Sequence, residues 1–255
     1  MTRSRALAAV VIPASVILGM FACSDGTSPG RTVFGTPLTV GNGTARTYVE
    51  LSSDGVPLSI GVGLSETALA GLPAASTEFA LPLPAEVSVA PYDHAVLNWQ
   101  PTGHPPVAIF TVPHFDVHFY MITQAERAAI SPADPQFAAK TALTPAAEFI
   151  PAGYNRDPFA IPRMGVHWGD PTAPEFSGQP FGKTFIYGSW DGAFHFTEPM
   201  VTKAFLEAKP AMEVSALKLP ARYSKPGYQP TSYAVGYDQA AKEYRIAISG
   251  LVRRQ

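Results

Sequence analysis

The sequence predicts a mainly β protein, α+β at the margin, folded as a β-sandwich or a partly open barrel with a few short peripheral helices. Three observations support this fold class. The 255 residues contain 26 prolines and 21 glycines, spread along the chain, which disfavours long helices. Short stretches rich in β-branched and aromatic residues recur between turn signals. Two pairs of these stretches flank Asp54-Gly55 and Asp191-Gly192, dipeptides typical of hairpin turns.

The elements follow from the same patterns in chain order. Predicted strands occupy residues 46–51, 56–62, 87–99, 107–120, 183–190, 193–197, 214–219, 232–238 and 244–251. A short helix is predicted over residues 65–70. A second begins at the capping box of Thr123 and Glu126, and a third begins near Pro199 and ends before Pro210. We expect one β-rich domain over residues 45–255.

The N-terminus reads as a targeting segment. Arg3 and Arg5 precede an apolar run, residues 6–19, that is short for a membrane span, so residues 1–22 are predicted to be a signal peptide. Cys23 ends this segment and precedes a polar, glycine-rich stretch, which resembles the lipobox of bacterial lipoproteins. We expect a lipidated Cys23, a flexible tether over residues 23–44 and an extracytoplasmic, membrane-anchored protein. Ordinary cleavage near Ala22 is the alternative.

Several classes of function are disfavoured by composition and motifs. Cys23 is the sole cysteine, so the chain forms no intrachain disulfide, and lipidation would leave no thiol for catalysis. The net charge of −2 and the absence of a basic tract disfavour nucleic-acid binding. The sequence contains no Gly-x-Ser-x-Gly, no phosphate-binding loop and no dinucleotide fingerprint.

Residues 113–120 carry the strongest indication of chemistry. In a β-strand, successive side chains point to opposite faces, so one face of this segment is apolar. The opposite face carries His114, Asp116, His118 and Tyr120. Histidine nitrogens and carboxylate oxygens are ligands for Zn, Fe or Mn, and the sequence does not choose among these metals.

Strand geometry limits what this segment can hold by itself. Residues His114 and His118 would lie about 13 Å apart on a flat strand, too far to share one ion unless the strand bends. We therefore predict a divalent metal site formed by His114, His118, His167 and Glu198. His104 is an alternate ligand, and Asp116 is the general base or orients a ligand. If the strand is flat, one of the two strand histidines binds the metal and the other lies in the substrate cleft.

Other roles for the same residues stay open. The strand histidines and Asp116 would also suit a hydrogen-bonded polar ladder between strands. Glu198 precedes Pro199 and would be favoured at a helix N-terminus without any metal. His195 alternates with phenylalanines and is interpreted as a surface residue of a strand, and His94 as structural. Tyr120, Tyr187 and Trp168 are expected to line a pocket.

A set of motifs adds a family resemblance. They are, in order, Trp99-x-Pro101-x-Gly103-His104-x-Pro106, Pro113-His114-Phe115-Asp116-x-His118-Phe119-Tyr120, Met164-Gly165-x-His167-Trp168 and Phe196-x-Glu198-Pro199-Met200. Together they resemble a domain-of-unknown-function family of secreted bacterial proteins, one member of which is regulated by an extracytoplasmic sigma and anti-sigma factor pair. The resemblance covers roughly residues 45–250 and implies an extracytoplasmic setting, but neither a reaction nor a metal.

Two functions are compatible with these observations. The first is a metal-dependent hydrolase or lyase that acts on an unidentified small molecule. The second is a non-catalytic ligand-binding or envelope-stress protein, whose polar strand face lines a pocket or a subunit interface. The second would also allow a homo-oligomer.

Overall fold

Strands dominate the computed structural model, which describes residues 29–255. In chain order they are β1 (Pro29–Phe34), β2 (Leu38–Val40), β3 (Gly43–Ser52), β4 (Pro57–Ser65), β5 (Thr77–Pro82), β6 (His94–Gln100), β7 (His114–Tyr120), β8 (Asn155–Arg156), β9 (Val166–Gly169), β10 (Lys183–Trp190), β11 (Ala193–Thr202), β12 (Glu213–Ala216), β13 (Gly227–Gln229), β14 (Ser232–Asp238), β15 (Glu243–Ser249) and β16 (Val252–Arg254). The α-helices of this range are short: α1 (Gln124–Ala129), α2 (Phe137–Ala142) and α3 (Lys203–Glu207). Single 3₁₀ turns occur at Glu66–Leu69, Ala147–Phe149 and Pro174–Ser177.

Two antiparallel seven-stranded sheets form the body of the protein. The first sheet has the order β1-β3-β4-β15-β14-β12, with β2 also paired to β3. The second sheet has the order β5-β6-β7-β11-β10-β9-β8, and β13 pairs with β16 apart from both. Neither large sheet closes on itself in the described residues, so the predicted mainly β class is confirmed and the arrangement is that of a sandwich rather than a barrel.

The hydrophobic core lies between the two sheets. The first sheet contributes Ile60, Val62, Leu64, Ile246 and Ile248, and the second contributes Leu97, Trp99, Phe115, Val117 and Phe119. Because alternate residues of a strand share one face, the core-facing residues of β7 leave its polar residues on the other side of the second sheet. We call this side the outer face.

The outer face of the second sheet is also buried, which is unusual for a polar strand face. All seven residues of β7 are shielded from solvent. Residues 101–113, 157–165 and 170–176, which connect strands of this sheet, lie over this face and line a cavity with it. A small apolar cluster on the same face joins Val96, Tyr120 and Phe196 to Met164 of the second connection. Strand β7 is therefore covered from both sides.

The predicted turns and caps agree with the structure where local chemistry decides them. The hairpins at Asp54-Gly55 and Asp191-Gly192 join β3 to β4 and β10 to β11. Asp191 and Gly192 both have positive φ (51° and 76°), the conformation for which such turns favour glycine. Thr123 and Glu126 form both hydrogen bonds of the predicted capping box at the start of α1.

The predicted helix from Pro199 is wrong in its first turn. Residues up to Thr202 belong to β11, and α3 occupies only Lys203–Glu207. Met200 and Val201 pair with Asp116 and Phe115 of β7 and are fully buried, so tertiary pairing overrides the local helix signal. Glu198 consequently lies within a central strand and not at a helix N-terminus.

The domain also begins earlier than residue 45. Pro29–Phe34 and Leu38–Val40, assigned from sequence to the tether, pair with β3 as strands of the first sheet. Their backbone hydrogen bonds to β3 order a segment whose composition alone suggested a flexible linker. The predicted signal peptide and Cys23 lie outside the described residues.

Across residues 29–255, no helix has the length and apolar character needed to traverse a bilayer.

Replacing a core leucine tests the sandwich. Leu97→Ala is expected to lower the free energy of unfolding by about 2–5 kcal/mol, because it leaves a cavity between the two sheets. Leu143→Ala is the matched control, since Leu143 is half exposed, and should change the free energy by less than about 0.5 kcal/mol. Urea unfolding followed by fluorescence measures both. Equal effects of the two substitutions would contradict the assignment of the core.

Candidate metal centre

Strand register assembles the polar residues of the outer face. Thr197 pairs with Phe119 and Met200 pairs with Asp116 across β11 and β7, so Glu198 lies opposite His118. His167 of β9 pairs with Gly188 of β10 on the same side of the sheet. Gly188 has no side chain, and the ring of Phe196 fills the space where a Cβ would lie. These pairings bring two histidines and a carboxylate together from β7, β9 and β11.

We call the first cluster the Glu198 group; it consists of His118, His167 and Glu198. Oε2 of Glu198 lies 3.2 Å from Nε2 of His118 and 3.6 Å from Nε2 of His167. One potential ligand atom from each residue lies within 4.8 Å of the others. Two donors bound to one Zn²⁺ at about 2.1 Å and at the tetrahedral angle would lie about 3.4 Å apart. The observed separations therefore match the spacing of ligands around a single ion.

The second cluster, the Asp116 group, consists of His104, His114 and Asp116. Oδ1 of Asp116 lies 3.0 Å from Nε2 of His114, and Oδ2 lies 3.6 Å from Nε2 of His104. Ligand atoms of these three residues also lie within 4.8 Å of one another. His114 and Asp116 are buried on β7, whereas about a third of the His104 side chain is exposed. His104 comes from the connection after β6.

Several atoms in these clusters have no hydrogen-bond partner although they are buried. They are Nε2 of His114, Oδ1 of Asp116, both ring nitrogens of His118 and Oε2 of Glu198. Nε2 of His114 and Oδ1 of Asp116 are close enough for an ion pair, but their angles do not suit a hydrogen bond. An unpartnered buried polar group costs about 1–3 kcal/mol, so a bound cation would remove a real penalty here.

Both groups open into one cavity of about 300 Å³ on the outer face. His104 and Asp116 line it from one group, and His167 and Glu198 from the other. Its walls are otherwise mostly apolar, with Pro105, Phe110, Phe159, Ile161, Phe176 and Ile186 among them. Asp157 adds a third carboxylate, and neither lysine nor arginine lines this cavity in the described chain. The lining therefore combines metal-ligand side chains with an apolar chamber.

The charges around the cavity shift several pKa values. Burial lowers the pKa of His104, but the Asp116 carboxylate outweighs burial and raises this pKa to about 9. Burial also opposes ionisation of Asp116, yet His104 and His114 hold its pKa well below the usual range. Burial lowers the pKa of His167 and raises that of Asp157. His167 is thus neutral and free to bind a metal near neutral pH.

A partly buried ion pair supports the ring of His118. Glu78 accepts hydrogen bonds from both terminal nitrogens of Arg127, at 2.9 and 2.6 Å. The Arg127 guanidinium lies 4.9 Å from the ring centre of Tyr120, and Tyr120 stacks on His118 at 5.5 Å. This stack, together with the edge of Phe196, limits the orientations open to the His118 ring.

The structure brings some predicted site residues together and separates others. His118, His167 and Glu198 converge, whereas His114 belongs to the other group with His104 and Asp116. Strand spacing explains this separation. Side chains four residues apart on an extended strand point the same way but are too distant to share an ion. Asp116 is itself a potential ligand of the second group rather than a neighbour of the first.

The predicted pocket residues lie elsewhere. Trp168 and Tyr187 point into the core between the sheets, where Trp168 donates a hydrogen bond to Ser189. Tyr187 lines only a small separate cavity of about 20 Å³. Tyr120 is on the outer face but packs in the small apolar cluster. Strand pairing decides these positions, and the single sequence does not specify which face each residue takes.

Two histidines stand outside both groups. His94 is buried, and its Nδ1 lies 2.8 Å from Oδ1 of Asp93, in agreement with a structural role. His195, interpreted from sequence as a surface residue, is buried, and burial lowers its pKa to about 3. The connection containing Gly165 packs against its ring and excludes solvent.

Two polar residues of the site were not predicted from the sequence. Gln100 donates a hydrogen bond from Nε2 to Oδ2 of Asp116 at 3.1 Å, and Asp157 lines the cavity. Gln100 pairs with His114 across β6 and β7, so correct strand pairing would have revealed it. Asp157 follows a two-residue strand in a proline-rich connection and carries no local signal.

Comparison with known proteins yields one partial match. A family model described as TTHB210-like, hypothetical protein TTHB210, matches residues 52–99, which is less than half of the chain. This confirms a resemblance to an uncharacterised family over that segment, but it carries no information on secretion or regulation. None of the six side chains of the two groups lies within the matched segment. No curated protein and no solved structure matches the chain.

The ion pair beneath His118 predicts a pH-dependent loss of stability. Burial opposes ionisation of Glu78, but Arg127 more than compensates and lowers its pKa below the usual range. A carboxylate with a depressed pKa stabilises the fold above its unfolded pKa of about 4.3, and this contribution is lost as the pH falls through the folded pKa. Glu78→Gln should cost about 1–3 kcal/mol at pH 7.

Urea unfolding of both proteins between pH 3 and pH 7 measures this effect. The difference in the free energy of unfolding between wild type and Glu78→Gln should become smaller below about pH 4.3. Glu213→Gln is the matched control, because Glu213 also forms an ion pair, with Lys183, but is half exposed, and its effect on the free energy of unfolding should stay below about 0.5 kcal/mol. If the difference in the free energy of unfolding were the same at all pH values, the ionised Glu78 carboxylate would not be the source of the stabilisation.

Proposed function

We propose that the protein is an extracytoplasmic metal-dependent enzyme, a hydrolase or a lyase, that acts on a small molecule. The observation that carries this proposal is the convergence of His118, His167 and Glu198 at the floor of a cavity lined mainly by apolar side chains. Two histidines and one carboxylate are a donor set that suits Zn, Fe or Mn.

The Glu198 group would leave part of the coordination shell free. A metal held by three protein ligands keeps an open position for water or substrate, and this position would face the cavity. The bound ion would polarise a substrate oxygen or lower the pKa of a bound water. Asp157 lines the same cavity, and burial raises its pKa, so it is placed to exchange a proton with a bound molecule.

The cavity constrains the substrate class. Its volume of about 300 Å³ is at the lower end for small-molecule sites. Aromatic and aliphatic side chains dominate its walls, and its three carboxylates would repel an anion that is not bound to a metal. A small, largely apolar molecule with one oxygen-containing group that reaches the metal fits these properties best.

The cellular setting of the proposal comes from the N-terminal sequence. The basic start, the apolar run and the single Cys23 support export and lipid anchoring to a bacterial membrane. The resemblance to secreted proteins, one of them under control of an extracytoplasmic sigma and anti-sigma factor pair, supports the same location. The enzyme would then meet its substrate in the periplasm or at the cell surface.

A non-catalytic ligand-binding or envelope-stress protein is the second candidate. The mainly apolar lining of the cavity favours it, because binding pockets combine such walls with a few polar groups. The polar strand face is covered by the chain's own connections, so it would serve a pocket rather than a subunit interface. A homo-oligomer would therefore use another surface. Turnover of a bound small molecule would favour the enzyme. Binding without turnover would favour the non-catalytic binding protein.

Removing the carboxylate of the Glu198 group tests the metal site. Replacing a residue that only orients a metal ligand typically lowers metal affinity by roughly 10–100-fold. Glu198→Gln removes a proposed ligand, so it should weaken Zn²⁺ binding at this group by more than that. Glu243→Gln is the matched control, a buried glutamate of the first sheet that pairs with Arg46. Competition with a chromophoric chelator, on protein without a histidine tag, measures the affinity. Wild-type affinity in Glu198→Gln would contradict the proposed ligand set.

Replacement of the cysteine tests the proposed location. In a bacterial host, Cys23→Ser should abolish lipid attachment and move the protein from the membrane fraction to a soluble extracytoplasmic fraction, because one thiol carries the anchor. Mass spectrometry of the mature N-terminus and cell fractionation measure this outcome. A wild-type protein that retains residues 1–22 with a free Cys23 thiol would contradict lipidation.

A further inference from the structure

The Asp116 group is a second built site in the same cavity. His114 and Asp116 occupy alternate positions of β7, and His104 reaches them from the connection between β6 and β7. The rings of His104 and His114 lie edge to face, with 4.7 Å between their centres, and both direct Nε2 at the Asp116 carboxylate. The proposed enzyme needs only the Glu198 group, so the second group calls for an explanation of its own.

Hydrogen bonds assign the proton positions on the two histidines. Nδ1 of His114 lies 2.7 Å from the carbonyl oxygen of Val112, and Nδ1 of His104 lies 2.7 Å from that of Pro105. A carbonyl oxygen can only accept, so both Nδ1 atoms carry a hydrogen. The Asp116 carboxylate raises the pKa of His104 to about 9, so without a metal Nε2 of His104 also carries a proton, and a bound cation would displace that proton and contact the lone pair. Metal-binding histidines show this pattern, with the distal nitrogen donating to a carbonyl.

Gln100 and Ser76 orient the Asp116 carboxylate through a chain of hydrogen bonds. Oγ of Ser76 donates a hydrogen bond to Oε1 of Gln100 at 2.8 Å, which turns Nε2 of Gln100 toward Oδ2 of Asp116. The other oxygen, Oδ1, lies 3.0 Å from Nε2 of His114, and neither of these buried atoms has a hydrogen-bond partner. A cation that contacts both atoms would supply the partner that each of them lacks.

The charge of the cavity favours a cation over an anion. Asp116, Asp157 and Glu198 line it, and no lysine or arginine of the described chain does so. One divalent ion at the Glu198 group would leave the Asp116 carboxylate with only the two histidines of its own group as charge partners. The rings of Phe110 and Phe181 pack around His104 and His114 and lower the local polarity, which strengthens electrostatic attraction to a second ion.

We propose that His104, His114 and Asp116 bind a second divalent cation, so that the cavity holds two metal ions. The inference rests on the proposed function for the metal at the Glu198 group, but the residues are different. Nitrogen and oxygen donors of this kind suit Zn²⁺ or Mn²⁺. Two ions facing one chamber would bind a substrate through two of its oxygen atoms, or would bind the substrate and a water separately.

Metal stoichiometry tests the second site. Bound metal is removed from tag-free protein with a chelator, and the protein is then loaded separately with Zn²⁺ and with Mn²⁺. Its metal content is measured by inductively coupled plasma mass spectrometry. Wild type should hold two ions per chain. His104→Gln should retain one, because His104 is the accessible member of its group and its replacement leaves the core intact. Glu198→Gln should also retain one, and the double variant none.

His94→Gln is the matched control, since His94 is a buried histidine of β6 that belongs to neither group. It should retain two ions, and circular dichroism would establish that each variant is folded. If wild type holds one ion and His104→Gln keeps it, the second site is overturned and the proposed function stands. If that ion is lost in His104→Gln but kept in Glu198→Gln, the Asp116 group binds metal and the proposed catalytic placement fails. Binding of neither metal by wild type overturns both.

Discussion

The structure depends on one constraint: strand β7 is buried on both faces, and one of those faces is polar. Seven consecutive residues are shielded from solvent, among them two histidines and an aspartate. A buried polar atom without a partner is costly, so the surroundings of β7 must supply partners. Gln100, the Val112 carbonyl and the Tyr120 stack do so for part of this face. The atoms left over point at one another within the two groups.

The same strand serves the core and the site, which makes the site rigid. Phe115, Val117 and Phe119 anchor β7 between the sheets, and the register with β11 fixes Glu198 opposite His118. A shift of β7 by one residue would exchange its two faces, placing the histidines in the core and the phenylalanines in the cavity. The positions of the ligand atoms are therefore set by packing on the far side of the sheet. Rigid elements of this kind are what a metal site needs, because ligand geometry tolerates little displacement.

The cover over the outer face shields a polar strand from solvent and leaves a cavity beside it. Proline-rich connections with little regular structure close the chamber and bring in His104, Asp157 and several aromatic residues. Apolar walls reduce the effective dielectric constant, which strengthens the attraction of carboxylates to a cation and raises the pKa of Asp157. The two sheets supply rigidity, and the connections supply the chamber and its access.

The sequence by itself determined the mainly β class, both hairpins and the capping box of α1, because short-range turn and cap chemistry decides these features. It also identified the alternating polar face of β7 and the six residues that the structure gathers into two groups. Only the tertiary structure decided that Pro199–Thr202 is strand, that residues before 45 join the first sheet, and that Trp168 and Tyr187 face the core. Above all, it divided the six potential metal ligands between two groups in one cavity. Strand order and register place these residues, and both arise from contacts between segments far apart in the chain, which no local pattern encodes.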